Sequence, residues 1–112
     1  MATTPETSFH YEVKSSEEEN KWKVTTITCH GRLVSDTADK LKEVVKPLIA
    51  EGGGIVIDFA DLNYLDSLGL GSLVGLKVSA IHKGFCTLEF VNLSPRVRDL
   101  LRITNLTELF ST

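Results

Sequence analysis

The run Gly54-Ile55-Val56-Ile57-Asp58-Phe59 constrains this chain more than any other segment. Short, nearly continuous, apolar and rich in β-branched residues, it has the pattern of a strand covered on both faces, which belongs at the centre of a sheet. The segments on either side supply the cover. From Ser35 onward, Ala38, Leu41, Val44, Val45, Leu48 and Ile49 fall on one face at helical spacing, and Gly52-Gly53-Gly54 ends that helix. Pro47 lies inside the pattern and should kink its last turn, because proline removes a backbone donor and crowds the preceding turn. A second helix is expected from about Ser67 to Lys83. Its apolar stripe is Leu70, Leu73, Val74, Val78 and Ile81, interrupted by Lys77, and Gly84 is its stop.

Phe9 to Val13 and Trp22 to Cys29 read as half-buried strands that pair antiparallel across a solvated loop, Ser15 to Asn20, which carries Glu17, Glu18 and Glu19. Thr87 to Val91 is a further strand. Ser94-Pro95, a capping side chain followed by proline at the first helical position, opens a third helix that buries Val97, Leu100 and Leu101. Two strand-helix-strand crossovers after an opening hairpin predict an α/β fold with a mixed sheet of four to five strands and three to four helices. A chain of 112 residues has room for one core. A single domain over residues 9–112 is therefore expected, after a polar, frayed stretch over residues 1–8.

Charge and composition exclude several roles. Twelve basic against 15 acidic residues, a net charge of -3, do not favour nucleic acid. Leu62 to Leu76, the most apolar passage, is broken by aspartate, serine and glycines and is too short to span a bilayer. Met1 to Ser8 lacks the basic start and apolar stretch of a secretory signal, so a cytoplasmic location is expected. Cys29 and Cys86 have neither CxxC spacing nor a histidine cluster beside them. They read as buried apolar residues, with no metal or cofactor implied.

What chemistry there is gathers at Asp66-Ser67. A serine between a strand and a helix has the placement of a hydrolase nucleophile, but Leu65-Asp66-Ser67-Leu68-Gly69 is not G-x-S-x-G. The histidines His10, His30 and His82 lie elsewhere, so an enzyme is not expected. Gly69, Gly71 and Gly75 are spaced G-x-G-x-x-x-G, one residue longer than the dinucleotide fingerprint, and close backbone packing accounts for them equally well. With the apolar stripe inward, the opposite helix face carries Leu68, Ser72, Gly75 and Ser79, with Leu76 on its flank. A neutral strip of this kind suits docking to another protein, or is an ordinary scatter of exposed residues. Ser67 itself has two readings: a helix N-cap, or a hydroxyl whose phosphorylation would place roughly -1.5 to -2 charges at the rim of that strip.

Three passages resemble the STAS-domain family of anti-sigma-factor antagonists. Gly31-Arg32-Leu33 through Ala38-Asp39-Lys40-Leu41 is similar to the family's entry to its first helix. Ile55 to Leu62 followed by Leu65-Asp66-Ser67-Leu68-Gly69-Leu70-Gly71 resembles its D-[ST]-x-G-[LIV]-G passage, and Ser94-Pro95 with Val97, Leu100, Leu101, Leu106 and Phe110 resembles its closing segment. The resemblance implies a partner switch. The unphosphorylated protein would bind an anti-sigma serine kinase and release a sigma factor, the kinase would phosphorylate it at Ser67, and a PP2C-type phosphatase would reset it, with ATP and magnesium belonging to the kinase. Asp66, Leu68, Gly69, Ser72, Gly75 and Leu76, with Ser35 and Asp36, would meet the partner; self-association as a weak homodimer is left open. Val34 stands where the family often has an acidic residue, so either Asp36 takes over that contact or the interface differs, and Asn105 replaces a glycine near the last helix. The alternative within the family is a STAS scaffold or small-ligand module that is not phosphorylated.

Overall fold

The computed structural model describes residues 9–19 and 22–103, without the side chains of Ser35, Asp36, Asn63 and Arg96. Residues 1–8, Asn20, Asn105, Leu106 and Phe110, named above, lie outside the described residues. In chain order the elements are β1 (Phe9–Glu17), β2 (Lys23–Leu33), α1 (Ser35–Glu51), β3 (Gly53–Leu65), α2 (Ser67–Lys83), β4 (Cys86–Val91) and α3 (Pro95–Ile103). The described strands form one mixed sheet in the order β1-β2-β3-β4, β1 antiparallel to β2 and the rest parallel.

Register explains which residues face the helices. Ile27 lies beside Ile57, Thr25 beside Ile55, Leu88 beside Ile55 and Phe90 beside Ile57, so these side chains share one face and are buried with Leu41, Val45, Leu73 and Leu76. The other face carries half-buried Val24, Thr26, Thr28, Val56 and Asp58 and exposed Thr87 and Glu89. Among the described residues α1 and α2 thus pack on one face, and the other face of β3, expected to be covered as well, is only half-buried at Val56 and Asp58. Val56 made the run look continuous because a β-branched residue also suits the open face of a pleated sheet. Two register shifts against β2 mark irregularities toward the C-terminal half of β3, and near the first the Asp58 Oδ1 accepts from Ala60 N and Asn92 Nδ2, both at 2.9 Å.

Other boundaries also move. Ser15 and Glu17 belong to β1, paired with Thr25 and Lys23, so the loop between β1 and β2 is shorter than predicted. Polar side chains on an edge strand hid this extension. Helix α1, by contrast, ends where expected: it runs through Pro47 to Glu51, and Gly52 takes a positive φ of 85° with its N–H reaching back to the carbonyls of Leu48 and Ile49. Ser94 caps α3 as expected, accepting from Val97 N at 3.2 Å. Cys29 and Cys86 are buried free thiols; burial, with the Asp58 carboxylate adding to it, pushes the Cys29 thiol up to about 12, so it stays protonated at neutral pH.

Candidate functional site: the strand-to-helix corner

Strand β3 delivers the chain to Asp66 beside the end of β2, where Leu65 pairs with Leu33 and Asp66 N donates to Leu33 O at 3.4 Å. Asp66 is extended, and its Oδ1 accepts from Gly69 N at 2.7 Å, while its own carbonyl receives Leu70 N at 2.9 Å. Asp66 is therefore the N-cap, which satisfies one of the free amides at the helix start. Ser67 is the first residue of α2 and is exposed. Two adjacent residues of capping type stand in the sequence, and the structure assigns the cap to the aspartate and leaves the hydroxyl outside.

The glycines that looked alike have different surroundings. A Cβ on Gly69 would stand 2.2 Å from Leu33 O, so this residue is glycine because the first turn of α2 rides against the backbone of β2. A Cβ on Gly71 or Gly75 would meet nothing within 4 Å. Close packing explains the first and leaves the other two on an open face.

The inward stripe of α2 is Leu70, Leu73, Leu76, Lys77 and Ala80, which corrects the prediction. Leu76 is 1% exposed and belongs to the core, whereas Val78 and Ile81, expected inside, are 40% and 57% exposed. Lys77 is the physical reason: its aliphatic stem is buried and its Nζ donates to Leu88 O at 2.5 Å, so it occupies a core position that a charge count assigns to solvent. The exposed face then carries Leu68, 62% exposed, with Gly71, Gly75 and Ser79, and half-buried Ser72 beside them. Gly69 and Leu76, both named as contact residues from the sequence, are buried rather than on this exposed face. The backbone of Ser35 and Asp36 opens α1; their side chains lie outside the described residues.

Between α1 and α2 this face forms one wall of a groove of about 460 Å³, with Ser67 and Leu68 contributing to it, Leu76 in its lining, and Lys42 and Lys46 of α1 on the other side. Sequence reading missed the two lysines, because only the packing of α1 beside α2 brings them there. Thr37 was missed too: its hydroxyl accepts from Val34 N at 2.9 Å and donates to Arg32 O at 2.6 Å, fixing the entry to α1 after Val34. Its placement three residues after the helix-preceding Val34 is the signal that would have found it. A second hollow, lined by Tyr64, Ser67, Val97, Leu100 and Ile103 among others, opens on the α3 side.

The histidines are engaged or distant. His30 pairs through Nδ1 with Asp61, stands 3.8 Å from a Glu12 carboxylate oxygen and stacks on His10 at 4.7 Å between ring centroids. His82 sits in the last turn of α2, about 22 Å along the axis from Ser67. The corner offers a hydroxyl on a helix start and a groove beside it, with no histidine among the described residues that line it.

Comparison with known proteins bears on the family and the fold. The STAS domain family model matches residues 16–112. An anti-sigma-B factor antagonist of Staphylococcus epidermidis is 35% identical over 80 residues, which cover 70% of this chain and 73% of that protein. The anti-sigma factor antagonist SpoIIAA, solved in its unphosphorylated form, superposes with a TM-score of 0.68 at 21% identity, over 92% of this chain and 85% of that one. The Bacillus cell fate determinant SpoIIAA, solved in the phosphorylated form, gives 0.66 at 18% identity, over 90% and 88%.

Proposed function

The chain belongs to the STAS domain family and stands among its anti-sigma factor antagonists, and from that premise we propose that it is a regulatory switch set by phosphorylation of Ser67. Unphosphorylated, it binds an anti-sigma serine kinase in the cytoplasm and frees a sigma factor; phosphorylated, it lets go, and a PP2C-type phosphatase restores it. The chain is a regulator and not an enzyme: ATP and magnesium belong to the kinase, whose transfer breaks the bond from the terminal phosphorus of ATP to its bridging oxygen, joins that phosphorus to the Ser67 oxygen, and releases ADP and the hydroxyl proton.

The observation that carries this reading is the division of labour at the corner. Because Asp66 holds the cap, Ser67 can be modified without dismantling the start of α2. A phosphate there would sit near the free helix amides but beside the Asp66 carboxylate, and it would place its charge at the edge of the groove formed with Leu68, Ser72 and Gly75. A neutral hydroxyl costs little to desolvate in an interface and a dianion costs much, so the same atom permits and then forbids docking. Ser35 and Asp36, at the start of α1, extend the docking surface. That SpoIIAA has been solved in both unphosphorylated and phosphorylated forms supports the reading.

Incubation with the kinase of the same organism and ATP should add one phosphate by intact mass, and Ser67→Ala should abolish it. Absence of that gain, or its survival in Ser67→Ala, overturns the proposal. Ser67→Glu should weaken kinase binding; unchanged affinity would favour the alternative, a STAS scaffold that is not switched.

A further inference from the structure

Lys42 and Lys46 stand on the groove beside Ser67, and no motif of the strand-to-helix corner includes them. The whole chain carries a net charge of -3, yet the described lining of this groove holds two lysines and no carboxylate. A positive groove on a negative molecule is a local arrangement that the overall composition does not produce. The lysines are one helical turn apart, about 6 Å along α1, the spacing of two carboxylates placed i, i+4 on a facing helix. Lys42 reaches Asp39 at 3.6 Å, an exposed pair across one turn that holds the ammonium only weakly, and Lys46 makes no ion pair among the described residues. Opposite them, Gly71 and Gly75 leave open space where a second backbone can approach, and Leu68 supplies an exposed apolar anchor.

We propose that this groove receives an acidic segment of the kinase partner, with two carboxylates one helical turn apart paired to Lys42 and Lys46. The inference rests on the reading of Ser67 as the switch and gives that switch an electrostatic sign. A phosphate on Ser67 has the same charge as the incoming segment and stands at the same groove. It screens the two lysines and repels the carboxylates, so release does not require α2 to move.

The test is kinase affinity as a function of salt for the full chain, the Lys42→Gln/Lys46→Gln double variant and the Lys42→Arg/Lys46→Arg control. The glutamine pair keeps most of the stem and removes the charge. Its affinity should fall roughly tenfold and its salt dependence should flatten, while the arginine pair stays near wild type. Ser67→Glu should also lose less affinity in the glutamine background than in wild type, because part of its effect acts through the lysines. Equal affinity and equal salt dependence for wild type and the glutamine pair overturn the inference and leave the Ser67 switch standing. Failure of the wild-type chain to bind the kinase removes both.

Discussion

Helices α1 and α2 are each 17 residues long, follow parallel strands and cover the same face of one sheet, yet they present different surfaces to solvent. The exposed arc of α1 carries Asp39, Lys40, Glu43, Lys46 and Glu51, the charged pattern of a solvated face, with Lys46 also lining the groove. That of α2 carries Ser67, Leu68, Gly71, Gly75, Val78, Ser79 and Ile81, with no exposed charge before the final turn. Two of those residues are glycines that each cost about 1 kcal/mol of helix propensity relative to alanine. Packing does not require them, since both face open space. The outer face of α2 thus gives up stability for contact with something else, while α1 offers the same groove only charge, from Lys42 and Lys46.

The strongest challenge to this contrast is at the one glycine of the series that folding does demand. Gly69→Ala would drive a methyl to 2.2 Å from Leu33 O, a backbone atom of β2 that cannot rotate away. It should lower stability by on the order of 3 kcal/mol, read as a shift in the urea midpoint with unchanged slope. A near-neutral result would mean that the first turn of α2 is free to lift from β2, and the corner would no longer be a rigid platform. Sequence spacing placed Gly69, Gly71 and Gly75 in one cluster and had no means of separating them. What separates them is a strand that ends 36 residues earlier in the chain, with Leu33.

Next in size is Lys77, the residue that most misled the reading of α2. Lys77→Met keeps an aliphatic stem in the core and removes the donor to Leu88 O, leaving that carbonyl without its lysine partner, and should cost about 1–2 kcal/mol in the same unfolding assay. A stabilised variant would show that the ammonium is a burden on the buried face and that the two helices differ inside as well as outside. The limits of legibility follow from this residue. Helix boundaries, the Ser94 cap and the mixed sheet with parallel crossovers rested on local pattern and stood. The orientation of α2 did not, because one buried, hydrogen-bonded lysine looks in sequence like a break in the apolar stripe; Leu76 and Ile81 exchanged places as a result. At the corner, Asp66 and Ser67 were both visible, but which of them caps depends on a hydrogen bond to Gly69 N. Lys42 and Lys46 were out of reach, since periodicity within α1 says nothing about the neighbour across the groove.

The smallest expected effect bears most directly on the contrast between the helices. Gly75→Ala adds a methyl into open space on the exposed arc and should raise stability by up to about 1 kcal/mol, as in any exposed helix interior. Gly71→Ala should do the same. If the outer face of α2 is kept for a partner that approaches closely, the methyl that helps the free protein obstructs the complex, and kinase affinity should fall while the unfolding midpoint rises. An alanine at an exposed position of α1 outside the groove lining, such as Glu43→Ala, should move stability little and not lower affinity, because it puts no new bulk at the contact. Opposite signs for stability and binding at Gly71 and Gly75, and no such split at Glu43, are what the comparison requires. Gain of stability with intact affinity at both glycines would mean that the arc is merely tolerated, and the two helices would then differ in composition but not in role.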